Sequence, residues 1–445
     1  MSLILQGQTS VYVIGIVVSQ PDPASETIGQ ELRSLGAFEA TSTGFQTSNF
    51  ELRMFEERHL DLVNVAEAFT DPDLIVFVSR HAGATGNLLT AHIPGNVGSA
   101  AYGGEPRSLP VGAPAALRSV YHSLCEFVPA GYNVALECTH HGPSDVGAPC
   151  LFVEVGSDES AWTDPVPANS VARAVLALAE APLETDQIVV GFGGDHYVPR
   201  YERIVRETGW AVGHIAADWA LEELAGFDDR ERTISDLFKQ SGSVIAHLET
   251  EEEWVKAAIE TLGHRIVSER WLREADGVSL ALVDRIESLL GPVDTGTQIG
   301  EQIDVSPTSI EPHRLSDALV SLLNGTDPVG AIDCLRRCTT GYARTDGGGR
   351  VDGMIARPKT ASPDEFVAEI EPFLAEYFDT FTVGNGVIAG TYEQFDPEAA
   401  RQYGVPEGPA FGQLASGDSL EVNETTIEPE DVMKCVTEEI PIFIE

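Results

Sequence analysis

Tyr132-Asn-Val-Ala-Leu136-Glu137-Cys138-Thr139-His140-His141-Gly142-Pro143 is the stretch from which the rest of the chain can be read. Tyr132–Leu136 has the length and apolar content of a buried strand, and Gly142-Pro143 breaks the chain directly after it. A strand that ends in a carboxylate, a hydroxyl and two imidazoles brings titratable groups to a sheet edge, where α/β proteins bind their ligands. Neighbouring residues of an extended segment point to opposite sides, so one of His140 and His141 can face a pocket while the other anchors the loop. Taken alone, the pair could equally be two satisfied core or surface histidines. Its weight comes from repetition along the same half of the chain.

Upstream, Val11–Ser19 is an apolar, β-branched run followed by turn residues and a helical pattern over Glu26–Leu35, the start of an α/β domain. Asp73–Val78 reads as a strand ending in Ser79-Arg80-His81, and Leu88–Ile93 as a strand that carries His92 and ends in Pro94-Gly95-Asn96. Asn96–Gly112 is rich in Gly and Pro and predicts a long ordered loop over a site. Pro114 suits a first helical position, and Leu117, Val120, Tyr121, Leu124 and Phe127 make the stripe of the helix that follows.

Downstream, Glu154 interrupts the apolar strand Cys150–Val155; a buried carboxylate needs a partner or a metal, whereas an outward-facing one needs neither. A helix over Pro165–Ala181 leads to a strand at Gln187–Gly191, the turn Gly193-Gly194-Asp195-His196-Tyr197 and a helix around Tyr201–Glu207. Glycines at such a turn let backbone amides approach an anion, although the spacing is not a dinucleotide fingerprint. Ala211–Ile215, with His214, reads as the last strand, and helices alone are expected from Leu221 to about Leu290. The fold class expected is α/β, with a central mixed, mostly parallel sheet flanked by helices. Residues 1–290 form its domain, the Gly/Pro/Thr/Ser-rich stretch 291–311 a linker, and residues 312–445 a smaller α+β accessory domain. In the latter, helices are expected at Arg314–Leu323 and Asp364–Tyr377.

Composition sets the setting. The 445 residues include 70 acidic against 27 basic, a net charge of −43, and the only lysines are Lys239, Lys256, Lys359 and Lys434. The acids are spread along the chain, so this is no acidic tail. Self-repulsion of this size calls for screening, and a proteome adapted to high salt accounts for both the acid excess and the scarce Lys. The same screening weakens long-range attraction to phosphate, so the charge does not exclude a nucleic-acid partner. No run is long enough to span a bilayer, and a cytoplasmic protein with reduced thiols, no membrane partner and no obligate protein partner is expected, working as a monomer. HExxH, P-loop and GxSxG patterns are absent.

Six of the eleven histidines, namely His81, His92, His140, His141, His196 and His214, thus fall at strand ends, with Glu137 and Glu154 among them. If the strands are parallel, their carboxyl ends share an edge and these groups converge. Two chemistries are open. Imidazole and carboxylate ligands with a free position suit a catalytic divalent metal, zinc above all, with His92, Glu137, His140, His196 and His214 as candidate ligands. Alternatively, one His acts as general base with a carboxylate orienting it. Arg80 and Arg200 are the cations nearest the motifs and the candidates for phosphate contacts, with Asn96, Gly193, Gly194 and Tyr197 as further substrate contacts; a surface ion pair is the plain alternative for each arginine.

Ser79-Arg-His81, Ala91-His92-Ile-Pro-Gly-Asn96, Thr139-His-His-Gly-Pro143, Phe152-Val-Glu154-Val-Gly-Ser157 with Trp162, Gly193-Gly-Asp-His196-Tyr-x-Pro199-Arg200 and Gly213-His214-Ile215 together resemble the archaeal-type D-aminoacyl-tRNA deacylases, a family also found in plants. The resemblance runs over roughly residues 10–270. It implies hydrolysis of the ester between a D-amino acid and the terminal ribose of tRNA, a fold similar to peptidyl-tRNA hydrolase and nucleoside phosphorylases, and zinc, with two ions per subunit. It places His81, His140, His141, Glu154 and His196 in the family's motifs as the catalytic set. Asp195 stands where a third Gly is expected, and Ala82–Gly86 is less Ser-rich than the pattern. Outside this span, Tyr403–Gly417 and Ile427–Val432 resemble a short segment of tRNA 3′-end-processing nucleases, without the nuclease's histidine motif. A non-catalytic nucleoside- or nucleic-acid-binding module and a nucleoside phosphorylase are the competing readings.

Overall fold

The computed structural model describes residues 12–423 and 425–444, so Val11, the first residue of the expected N-terminal strand, lies outside the described residues. The chain divides into two compact units, the first ending at Gly277 and the second beginning at Val278. Strands of the first unit are β1 (Ile14–Ser19), β2 (Glu39–Ala40), β3 (Phe45–Gln46), β4 (Phe50–Phe55), β5 (Leu74–Arg80), β6 (Leu88–His92), β7 (Asn133–Leu136), β8 (Cys150–Gly156), β9 (Ile188–Phe192), β10 (Ala211–Ala216), β11 (Ile245–Leu248) and β12 (Arg265–Val267). They form an eight-stranded sheet in the order β2-β3-β4-β1-β5-β8-β6-β7 and a four-stranded sheet in the order β10-β9-β11-β12.

The central strands are buried on both faces, which is why β1 (IGIVVS) and β5 (LIVFVSR) read as continuous apolar runs. The helix after β1 begins at Pro23, where the ring occupies a position whose N–H has no intrahelical acceptor, and Asp22 caps it by accepting from the amides of Ala24 (3.0 Å) and Ser25 (3.2 Å). Pro114–Phe127 also starts at a proline, though without a side-chain cap, and buries Leu117, Val120, Tyr121 and Leu124.

Two features differ from the expectation and matter for the site. First, β6 pairs antiparallel with β8, while β5 and β8 are parallel, as are β6 and β7. The carboxyl ends therefore do not all share one edge. Second, the stretch after Leu221 is not helical throughout, because β11 and β12 complete the second sheet. At four and three residues they are too short for an alternating pattern to stand out between acidic helices.

The second unit holds an antiparallel five-stranded sheet, a three-stranded sheet and a two-stranded one. Helices Asp317–Thr326, Pro328–Cys338 and Pro363–Tyr377 pack through Leu319, Leu323, Leu335, Phe366, Ile370 and Leu374. Residues 291–311 are not a free linker: Thr297–Ile299 and Ile310–Leu315 are strands of the five-stranded sheet. Helix Leu280–Leu290 also belongs here, since a Cβ on Gly341 would come within 2.7 Å of Ile286. The helix expected from Arg314 starts instead at Asp317, where the Ser316 hydroxyl accepts from the Leu319 amide at 3.1 Å. The Tyr403 and Ile427 segments fold around a small cluster of Ala400, Val405, Leu414, Ile427 and Val432. Among the described residues, no helix is long and apolar enough to cross a membrane.

Candidate active site

Strand register puts the site on a face of the large sheet. Phe77 pairs with Phe152 and Ser79 with Glu154 across β5 and β8, while His92 pairs with Phe152 and Thr90 with Glu154 across β6 and β8. Residues opposite one another, or two apart on a strand, share a face. Phe77, Phe152 and His92 consequently stack, with ring centroids 4.5 Å and 5.2 Å apart and interplanar angles of 14° in both pairs. On this aromatic floor stand Ser79 and Glu154, whose hydroxyl and carboxylate are joined at 2.6 Å.

The Glu137–His141 segment crosses from the end of β7 and ties the two sheets together. Glu137 bridges Tyr197 and His140 bridges Pro94, the Cys138 amide donates to His196 O (2.9 Å), and the Thr139 amide donates to Ile215 O (2.9 Å). His196 and Tyr197, from the loop after β9, are thereby drawn to a cluster otherwise built on the large sheet.

Glu137 is its hub. Its Oε2 lies 3.5 Å from His92 Nδ1, His140 Nε2 and His196 Nε2, and its Oε1 lies 2.9 Å from His81 Nδ1. His81 Nδ1 also faces Glu154 Oε2 at 3.5 Å, and His141 Nε2 faces Glu154 Oε1 at 3.9 Å. Backbone and phenol contacts fix the rings from behind: His140 Nδ1 on Cys138 O (2.9 Å), His141 Nδ1 on Gly142 O (2.7 Å), and His81 Nε2 on the Tyr197 hydroxyl (2.7 Å). His141 is held at φ 49°, a left-handed backbone uncommon for a residue other than Gly.

Burial and mutual charge sort the protonation states. Burial, with the charges of His140 and His141 added, keeps His92 well below the ordinary histidine range; burial also lowers His140, against the pull of Glu137. Glu137 is buried too, which opposes ionisation, yet the close approach of His196 and His81 and the neighbouring imidazoles hold its carboxyl well below the usual range. Burial works against charge on His81, but the two carboxylates outweigh it and raise its pKa. Glu154 is pushed up, first by burial and then by Glu137. The cluster combines an ionised carboxylate and neutral imidazoles with a second carboxyl poised to hold a proton.

Two sets of atoms in it have no hydrogen-bond partner among the described residues: both oxygens of Glu137 and both ring nitrogens of His92, all buried. The close approaches around Glu137 lack the alignment of hydrogen bonds, and unpaired buried polar atoms are expensive. Several groups of three donors lie within 4.8 Å of one another, among them His81–Glu137–His196, His92–His140–His141, His92–Glu137–Glu154 and Cys138–His140–His196. The cluster could therefore hold a metal ion.

Of the residues singled out in the sequence, His81, His92, Glu137, His140, His141, Glu154, His196 and Tyr197 come together here. His214 does not. It is wholly buried with both ring nitrogens engaged, Nδ1 by the Thr139 hydroxyl (3.1 Å) and Nε2 by Pro110 O (3.0 Å), so it is a packing histidine. Asn96 spends its amide on Gly103 O and Glu105 O, shaping the loop instead of offering donors to substrate. The Gly193 and Gly194 amides donate to Ala216 O (2.8 Å) and Asp218 Oδ2 (3.2 Å), which leaves no cradle for a phosphate, and a Cβ on Gly193 would strike the Thr250 amide. Arg200 pairs with Glu249 at 3.2 Å, the plain ion pair. Arg80 lies over the Trp162 ring and lines the cleft beside the cluster.

That cleft, of 490 Å³, is also lined by residues the sequence does not single out: Asp22, Arg58, His59 and Tyr102. Their signals were weak, because Asp22 reads as a helix cap and Tyr102 sits in a loop with no period.

His214, His59 and His247 carry a stability prediction. Burial lowers each to about 4, opposed by the Pro110 hydrogen bond at His214 and by Asp22 at His59, and reinforced at His247 by Arg200. Below the unfolded value of about 6.5 the unfolded chain takes up protons that the folded chain refuses, so stability is full above 6.5 and falls as pH drops toward 4. Urea midpoints in molar KCl are expected to fall between about pH 7 and pH 5, and His214→Gln to flatten that slope while leaving ester hydrolysis at neutral pH unchanged. A midpoint constant over this range would show that the imidazoles are not held neutral.

The D-aminoacyl-tRNA deacylase family model matches residues 68–267, the span that carries β5 to β12 and every member of the cluster. The D-aminoacyl-tRNA deacylase of Halorubrum lacusprofundi is 42% identical, covering 97% of this chain and 97% of its own, and that of Haloarcula marismortui is 42% identical over 94% and 97%. Such coverage takes in the second unit, so these relatives share it. A crystal structure described as a conserved protein of unknown function is 28% identical with a TM-score of 0.53, covering 57% of this chain and 94% of that one. With near-full-length relatives at this identity, the chain belongs to the D-aminoacyl-tRNA deacylase family.

Proposed function

We propose that the chain hydrolyses the ester of D-aminoacyl-tRNA at the Glu137 cluster and does so with zinc. The observation that carries this is Glu137 itself: a buried, ionised carboxylate facing four imidazoles, with neither oxygen hydrogen-bonded. Zinc takes deprotonated ligands, and neutral His92 and His140 beside ionised Glu137 meet that requirement. His92–His140–His141 offers three rings that burial holds below the ordinary histidine range, whereas His81, raised by its two carboxylates, would have to give up a proton before His81–Glu137–His196 could take a second ion. When bound, zinc supplies a Lewis acid for the ester carbonyl and lowers the pKa of water.

The protein's own residues do the rest. Glu154, drawn toward its protonated form and fixed by Ser79, can exchange a proton with the attacking water and the departing ribose oxygen. His81 keeps its proton between Glu137 and Glu154, with Tyr197 orienting its far nitrogen. The stacked floor of Phe77, Phe152 and His92 excludes water from beneath the reacting atoms. A tRNA substrate and the absence of a membrane-crossing helix among the described residues together support a cytoplasmic setting.

The test is release of D-tyrosine from D-tyrosyl-tRNA in molar KCl, with L-tyrosyl-tRNA as control. Hydrolysis of the D-ester alone is expected, lost after chelation, restored by added zinc and abolished in His140→Ala. Turnover that survives exhaustive chelation would leave a metal-free mechanism with a histidine base, and failure on both esters would remove the deacylase reading.

A further inference from the structure

The histidine cluster separates two cavities that differ in chemistry. The 490 Å³ cleft carries both signs of charge, with Arg58, Arg80, Asp22 and Glu154 among its lining residues. A second cavity of 230 Å³ shares Tyr102, His140, His141 and His196 with it, so that the Tyr102 ring stands between the two, and is otherwise lined mainly by small loop residues and the Trp219 ring. No Arg or Lys lines this second cavity, and its one carboxylate is engaged: Glu223 Oε2 accepts from both the amide and the hydroxyl of Ser99, each at 2.9 Å. That clasp fastens the 96–112 loop to helix Asp218–Ala225, which carries Trp219. The approach is so close that a Cβ on Gly98 would fall 2.5 Å from Glu223 Oε2. Tyr102 and Trp219 are nonetheless 71% and 40% exposed. Two large rings at the mouth of a pocket next to reactive groups are surface that a ligand covers.

Three arms leave the terminal ribose of an aminoacyl-tRNA: a neutral, flat base, an anionic phosphodiester, and an acyl group bearing an ammonium. The charged arms match the larger cleft, whose lining includes Arg80 for the phosphate, Arg58 held against Asp61 beside it, and the carboxyl groups of Asp22 and Glu154. The smaller cavity offers no cation to a phosphate, and its one carboxylate already has an oxygen committed to Ser99. We propose that the Trp219–Tyr102 cavity is the subsite for the 3′-terminal adenine, with the base stacked against Trp219 and the ester presented to Glu137 across His140 and His196. The inference rests on the deacylase reading and adds to it the part of the substrate common to every aminoacyl-tRNA. It also suits a chain with few cations, because base–aromatic stacking, worth about 1–3 kcal/mol per base, survives the salt that screens phosphate contacts.

Calorimetry in molar KCl with adenosine 5′-monophosphate on the full chain tests the subsite without any turnover. Binding is expected in the wild type, at least about tenfold weaker in Trp219→Ala, near wild type in Trp219→Phe and weakened in Tyr102→Ala. Ribose 5-phosphate, which lacks the base, should bind at least about tenfold more weakly than the nucleotide. In kinetics, Trp219→Ala should raise KM for D-tyrosyl- and D-alanyl-tRNA by the same factor. Nucleotide affinity unchanged in Trp219→Ala overturns the proposal; so does a loss confined to D-tyrosyl-tRNA, which would make the cavity an amino-acid side-chain pocket. Nucleotide binding through Trp219 in a chain that hydrolyses neither ester would retain the subsite and remove the deacylase reading.

Discussion

Glu137→Gln is expected to lower D-tyrosyl-tRNA hydrolysis by about two to four orders of magnitude, with the fold intact. The substitution keeps volume and removes one negative charge from the point where four imidazoles meet. Removing one partner of a buried charged network costs about 3–5 kcal/mol, and at about 1.4 kcal/mol per decade that range becomes the stated loss if it falls on the transition state. The amide also presents an NH₂ where an acceptor is required, so it would weaken any metal held by Glu137 with His196 or His92. Metal content by mass spectrometry and single-turnover hydrolysis, both in molar KCl, read the two effects separately. A variant within tenfold of wild type would mean that the buried carboxylate is structural and that Glu154 with His81 carries the chemistry. His214→Gln is the matched control, since it alters a histidine equally buried but fully bonded outside the cluster.

The contrast between His214 and His92 shows where sequence reading stops. Both lie on apolar strands and both are wholly buried. They differ in what meets the ring: a threonine hydroxyl and a carbonyl at His214, a carboxylate at His92. Those partners come from segments far away in sequence, so strand position alone could not separate ligand from packing residue. The strands themselves were legible because parallel strands buried on both faces make unbroken apolar runs. The antiparallel turn of β6 was not, since periodicity carries no direction, and with it the site moved from an expected edge to a face of the sheet. The glycine turn at Gly193-Gly194 misled for a related reason. Glycine there allows close approach, but the partner is the 249–250 backbone and not a phosphate. Glu137, Glu154 and the clustered histidines stood out because carboxylates and imidazoles at the ends of or within apolar strands need an explanation that surface residues do not.

Transfer from molar KCl to about 0.1 M salt is expected to unfold the protein cooperatively, and restoring KCl to refold it. The chain carries −43 net charge, with 70 acidic residues facing 27 basic ones. Many of those basic side chains are already paired with acids; Arg203 and Arg273, for example, both contact Glu269. Pairing cannot therefore neutralise the excess, and solvent ions must. The Debye length is about 3 Å in molar salt and about 10 Å at 0.1 M, so dilution couples carboxylates across the surface that were previously independent. Folded stability is commonly only about 5–15 kcal/mol, and distributed repulsion of this extent is enough to exceed it. Circular dichroism against KCl concentration, with an uncharged osmolyte as control, reads the transition; a fold that persists in low salt without other cations would mean that the acids are compensated internally. The same scarcity of cations fixes how substrate binding responds. If Arg58 and Arg80 are the phosphate contacts in the cleft, KM measured across the salt range that keeps the protein folded should change with a slope no steeper than about 1.4 in log–log terms, two contacts at about 0.7 each on a single strand. A steeper slope would require basic residues beyond the cleft to touch tRNA. A shallow one leaves affinity to stacking and shape, the terms that high salt does not remove.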